Sequence, residues 1–199
     1  MKIVVVPHGA KVTGVTQYPP ELGADPPMTM EGKAKMLSLV PALKALGPYD
    51  SVYCSLMDRA CGTMCTIVKQ LGIKLVTCLE ELGQYGNLDG DGTVIAYPGH
   101  ENDNVITWQK QGLEAVQSIW NEVVGVMSSG AGCGKKVLVF THRPILAGLV
   151  AITASVTEAG GIQKILDDQK LTGRGFRVFS CDGSNMVFGC NAGNLTLEV

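Results

Sequence analysis

Two imidazoles close two apolar runs, Lys2-Ile3-Val4-Val5-Val6-Pro7-His8-Gly9 near the start and Lys136-Val137-Leu138-Val139-Phe140-Thr141-His142 far downstream. Imidazole attacks phosphorus when one ring nitrogen is held by a hydrogen bond and the other presents its lone pair. The transferred group then needs cations and donors around its oxygens, and the departing oxygen needs a proton. His8, His142, Arg59 and Glu81 fit these tasks, each near the end of a predicted strand. The chain has only three histidines, and the third, His100, lies in the polar run 98–103, where solvation is its ordinary role.

Such residues meet only if the elements carrying them are neighbours. In an open α/β sheet ligands gather at the carboxyl ends of the strands, so two imidazoles parked there can converge on one pocket. The run 3–6 is β-branched without interruption, as expected of a strand covered on both faces. A Gly-, Pro- and Thr-rich surface loop follows over 9–27. Thr29 then caps a helix with Glu31 in its first turn; Met36, Leu37, Val40 and Leu43 trace one face to Leu46, Pro41 kinks it, and Gly47-Pro48 stops it.

Further on, the pattern predicts a strand over 51–54, a helix from Ser55 to Leu71 ended by Gly72, and a strand over 73–76. The glycine-rich stretch 80–103 reads as a long loop serving as lid or wall. Leu113, Val116, Trp120, Val123 and Met127 mark an amphipathic helix, ended by a turn over 128–134. A strand over 137–140, a helix over 144–155 and strands over 176–181, 186–190 and 195–199 complete the chain, the last three joined by hairpin turns at Asp182-Gly183 and Ala192-Gly193. The alternation predicts an α/β three-layer sandwich: a mostly parallel central sheet flanked by helices, with an antiparallel edge near the carboxyl terminus. Its extent is one domain over 1–199.

Composition narrows the chemistry. Of 199 residues 46% are hydrophobic, enough for one sizeable core, and sixteen basic against eighteen acidic residues leave a net charge of −2. That balance gives no basic footprint for nucleic acid or an anionic membrane. The first apolar run is too short for a signal peptide, and the run 145–156, broken by Thr153 and Ser155, is too short to span a bilayer. A soluble cytoplasmic protein acting on a small molecule is expected.

Seven cysteines (Cys54, Cys61, Cys65, Cys78, Cys133, Cys181, Cys190) form no C-x-x-C pair and read as reduced core thiols, so no metal is expected. Gly130-Ala131-Gly132-Cys133-Gly134-Lys135-Lys136 is not a phosphate loop, because it follows a helix and Lys136 stands where Ser or Thr is needed. Asp89-Gly90-Asp91-Gly92 is not a calcium loop, because Thr93 and His100 occupy ligand places.

Several segments, in order, resemble the histidine phosphatase superfamily, the phosphoglycerate-mutase-like proteins. Pro7-His8-Gly9 stands where that family has Arg-His-Gly, and Pro26-Pro27-Met28-Thr29-Met30-Glu31-Gly32 is similar to its approach to the first helix. Tyr53-Cys54-Ser55-Leu56-Met57-Asp58-Arg59-Ala60 resembles the strand and turn delivering its second arginine. Glu80-Glu81-Leu82-Gly83-Gln84-Tyr85-Gly86-Asn87-Leu88-Asp89-Gly90 resembles the segment with its acid, and Thr141-His142 its second histidine. The resemblance implies His8 as the residue that becomes phosphohistidine, Arg59 and His142 around the phosphoryl oxygens, and Glu81, with Glu80 as the alternative, as the acid. It implies a small phosphorylated substrate and no cofactor.

One departure stands out. The family's first arginine is Pro7 here, which carries no charge and donates no hydrogen bond. Lys11 and Arg143 are candidate substitutes, and each is also an ordinary surface cation. The expected activity is phosphomonoester hydrolysis, slowed by Pro7. The alternative is a lapsed relative that binds a phosphorylated ligand or a protein partner. A mutase is less favoured, since the loop 9–27 has Lys11 as its one cation and the stretch 80–103 has no lysine or arginine, although Arg174 and Arg177 lie in the carboxyl-terminal region.

Overall fold

The computed structural model describes residues 2–11, 27–79, 82, 86–88, 94–96, 136–153, 164–165, 175–181 and 195–198. Strands β1 (Lys2–Pro7), β2 (Ser51–Ser55), β3 (Thr77–Leu79) and β6 (Lys136–Thr141) form a parallel group. Strands β7 (Arg177–Cys181) and β8 (Leu195–Glu198) extend it antiparallel, giving the order β3-β2-β6-β1-β7-β8. Helices α1 (Met30–Leu37), α2 (Val40–Leu46), α3 (Asp58–Leu71) and α4 (Arg143–Thr153) flank the sheet. This is the expected α/β architecture, parallel in the centre and antiparallel at the carboxyl-terminal edge.

Strand alternation sorts the core. Val4 and Val6, with Val52, Cys54, Leu138 and Phe140, face Met36, Leu43, Ile67 and Val68 of the first three helices. The intervening Ile3, Val5, Val137 and Val139 are just as buried, and α4 packs against β1 and β8. Burial on both faces explains the uninterrupted apolar runs. β6 is pinned at its start, where the Lys136 amide donates to Asp50 Oδ2 at 2.8 Å and Lys136 Nζ donates to the Leu46 carbonyl.

Several boundaries differ from expectation for local reasons. Thr29 caps α1, its Oγ1 accepting from Gly32 N at 2.9 Å, but the helix breaks instead of kinking. α1 ends at Leu37, and α2 restarts with Pro41 in its first turn, where a missing N–H costs nothing. Leu37 consequently leaves the apolar face and is 39% exposed. α3 begins at Asp58 and not at Ser55, which stays the last residue of β2. β3 lies at Thr77–Leu79 and not at 73–76: Gly72 turns left-handed (φ 71°) and Ile73 N bonds back to Val68 O, so those residues form the exit from α3. α4 starts one residue earlier than expected, at Arg143, and is described as far as Thr153.

Within the stretch expected to be a loop, β4 (Gly86–Leu88) and β5 (Val94–Ala96) form an antiparallel pair with Asn87 opposite Ile95. Cys54 is a buried thiol as expected, whereas Cys65 and Cys78 are exposed, Cys65 on α3 and Cys78 on the edge strand β3. The expected helix over 113–127, the turn over 128–134, the strand over 186–190, both hairpin turns and most of the loop 9–27 lie outside the described residues. Among the described residues no helix is long and apolar enough to cross a membrane.

Candidate active site

β1 and β6 run side by side in parallel register, Lys2 opposite Lys136 through Pro7 opposite Thr141. His8 and His142 therefore occupy the next rung, and the His8 amide donates to Thr141 O at 2.9 Å. Their ring centroids are 5.1 Å apart, edge toward face at 61°. The third member comes from β2, on the other side of β6, through the first turn of α3, which holds Arg59 wholly buried.

His8 Nδ1 lies 2.7 Å from the Gly9 carbonyl. A carbonyl oxygen only accepts, so Nδ1 carries the hydrogen and a neutral His8 has its lone pair on Nε2. Burial pulls the His8 pKa down to about 4, and the charges of Arg59, Lys11 and Arg143 pull the same way against the Gly9 hydrogen bond. His142 is held well below the ordinary histidine range, by its complete burial first, then by Arg59, His8 and Lys11. Both rings are neutral near pH 7.

That neutrality has a stability signature. Each histidine gains a proton on unfolding wherever the pH lies between its folded pKa and the unfolded value near 6.5. The contribution is complete above about pH 6.5 and falls away with acidification toward pH 4 for His8, by about 1.4 kcal/mol per pH unit. Urea melts across pH 5 to 8 should show stability declining from just below neutrality. A flat profile above pH 5 would contradict the buried neutral pair.

The cradle is stitched by residues that the sequence pattern left unmarked. Gly9 N donates to Thr63 Oγ1 at 3.0 Å, and the Thr63 hydroxyl donates to Arg59 O at 2.9 Å, tying the loop after His8 to the turn carrying Arg59. Ser55 Oγ lies 2.9 Å from His142 Nε2 and accepts from Met57 N at 3.2 Å. Arg59 itself donates to Met57 Sδ at 3.5 Å. Thr63 was findable, because it shares the apolar face of α3 with Ala60 and Ile67, where a polar side chain needs a buried partner.

Of the residues singled out in the sequence, His8, His142 and Arg59 come together, and Lys11 and Arg143 lie close enough for their charges to act on His8. Arg177 opens β7 opposite Val5, its guanidinium donating to Phe176 O at 2.8 Å. Glu80, Glu81, His100 and Arg174 lie outside the described residues. Leu82 is described and buried, its carbonyl accepting from Thr141 Oγ1 at 2.7 Å.

The sequence over residues 3–168 matches the family profile of the histidine phosphatase superfamily, branch 1. The chain belongs to that superfamily. Among curated proteins, none matches it. Solved structures with the histidine phosphatase fold do: a mycobacterial glucosyl-3-phosphoglycerate phosphatase aligns at 15% identity over 99% of this chain and 95% of its own, TM-score 0.62. The protein histidine phosphatase SixA, bound to tungstate, aligns at 17% identity over 100% and 95%, TM-score 0.59. A phosphoserine phosphatase variant from Entamoeba histolytica, bound to phosphoserine, aligns at 16% over 100% and 95%, TM-score 0.61. At these identities the likeness shows the shared fold; within it, Pro7 keeps its place in β1 opposite Thr141.

Proposed function

We propose that this chain is a cytoplasmic phosphomonoester hydrolase, working as one domain, that transfers the phosphoryl group of a small substrate to His8. The observation that carries the reading is the His8 ring: neutral, its Nδ1 hydrogen fixed on Gly9 O, and beside His142 and the buried Arg59. Nε2 attacks phosphorus, and the bond to the leaving oxygen breaks as Glu81 protonates that oxygen. Water then attacks the phosphohistidine, Glu81 takes its proton, and inorganic phosphate leaves. Arg59 and His142 hold the equatorial oxygens, with Lys11 and Arg143 adding positive potential. The chemistry calls for no metal or organic cofactor.

Support for Glu81 comes from its chain neighbour Leu82, tethered to Thr141 beside His142. The free thiols of Cys54, Cys61, Cys65 and Cys78 fit a reducing compartment. A sheet that takes strands from both the first and the last residues of the sequence fits a single domain.

Brief exposure to radiolabelled p-nitrophenyl phosphate should leave a protein-bound label that acid removes and alkali does not. Pro7 favours a second reading, a lapsed member that holds a phosphorylated ligand or partner without turning it over. Tungstate binding with neither label nor p-nitrophenol release would select that reading, and an alkali-labile label would reject the phosphohistidine.

A further inference from the structure

We propose that Ser55 is a positioning residue that fixes the tautomer of His142, so that His142 meets the phosphoryl group as a neutral N–H donor through Nδ1. The inference rests on the phosphatase reading and adds the proton positions to it. Ser55 is wholly buried at the end of β2, with its Oγ 2.9 Å from His142 Nε2 and 3.2 Å from Met57 N. The Met57 amide can only donate, so it occupies one Ser55 lone pair. The hydroxyl hydrogen needs an acceptor, and among the described residues His142 Nε2 is the one within reach.

The alternative assignment satisfies fewer groups. With the proton on Nε2, Ser55 Oγ would accept twice while its own hydrogen went without an acceptor, and His142 Nδ1 would be a bare buried lone pair. With Ser55 donating, one group stays unmatched: the Nδ1–H of a fully buried ring, which has no hydrogen-bond partner among the described residues. A buried donor of this kind is costly until a ligand supplies an acceptor. A phosphoryl oxygen carried on the adjacent His8 ring, 5.1 Å away between centroids, is such an acceptor. Because His142 is neutral, the donor is there independently of pH through the neutral range.

Ser55 is itself held from its other side. The thiols of Cys54 and Cys61 lie 3.1 and 3.3 Å from the Ser55 carbonyl as donors, and burial raises the pKa of both. Inert thiols therefore anchor the backbone of the residue that orients the histidine. A donor placed this way matters more in a site whose first arginine is replaced by Pro7.

The test reads the ring nitrogens directly. In uniformly 15N-labelled wild-type protein at pH 7.5, His142 Nδ1 should show the shift of a protonated nitrogen and Nε2 that of a bare one. Ser55→Ala should populate the opposite tautomer and lower kcat toward p-nitrophenyl phosphate about tenfold, the loss of one oriented donor. Ser55→Thr, which keeps the hydroxyl, should restore both. A wild-type spectrum with the proton on Nε2 overturns the proposal whether or not the variants fold, as does an unchanged tautomer in Ser55→Ala. The phosphatase reading fails separately, through a protein with the expected tautomer that hydrolyses no phosphate ester.

Discussion

His8→Ala should lower the turnover of p-nitrophenyl phosphate at least about a thousandfold, because no neighbouring group can replace the attacking nitrogen. Arg59 and His142, the proposed phosphoryl binders, are left in place, so substrate affinity should change far less than kcat. The same substitution should make the fold more resistant to acid. His8 holds its pKa at about 4 in the folded protein against about 6.5 unfolded, so at pH 5 the wild type has given up about 2 kcal/mol that the alanine variant never had at stake. Paired urea melts at pH 7.5 and 5 should thus show a smaller acid loss in the variant, while its rate collapses. Wild-type turnover in His8→Ala would remove the nucleophile assignment outright.

Arg59→Met should cost about a hundred- to a thousandfold in kcat/KM, the range for losing one charged donor from a preorganised anion site. Pro7, the residue before His8, offers neither charge nor donor to share that load, so the loss falls toward the upper end. Arg59→Lys should not rescue, since an ammonium lacks the planar fork and its reach. A second readout separates charge from packing. The guanidinium is one of the groups pulling the His8 and His142 pKa values down, so in Arg59→Met both should rise and the acid limb of the pH–rate profile should move upward. A normal kcat/KM with an unmoved acid limb would show that Arg59 only fills space.

The legible parts of this molecule were those governed by short-range rules. Ile3 to Val6 and Val137 to Phe140 are strands covered on both sides, and helices are punctuated by the Thr29 hydroxyl and by Gly72, whose missing Cβ permits the left-handed turn. The errors arose where two local rules compete. Ile73 and Val76 look like strand residues, yet they pack on the core while leaving α3, and Pro41 was strong enough to restart a helix instead of bending it. In the site, His8 and His142 announced themselves by residue type and strand-end placement, whereas Arg59 stood out through the family resemblance, since its type and place alone equally suit an exposed arginine. Ser55 and Thr63 did not, because a hydroxyl gains meaning only when its partner, here His142 or Gly9, arrives from a distant part of the chain.

The position of β1 between β6 and β7 has a consequence for biosynthesis. As the chain leaves the ribosome, Ile3 to Val6 emerge long before β6 and β7, the two strands that cover their edges. Pairings this distant in sequence are slow to form and leave sticky surface exposed meanwhile. The imidazole at position 8 waits with that strand, so burial of its sticky edges and assembly of the proposed site should come together, once β7 has been made.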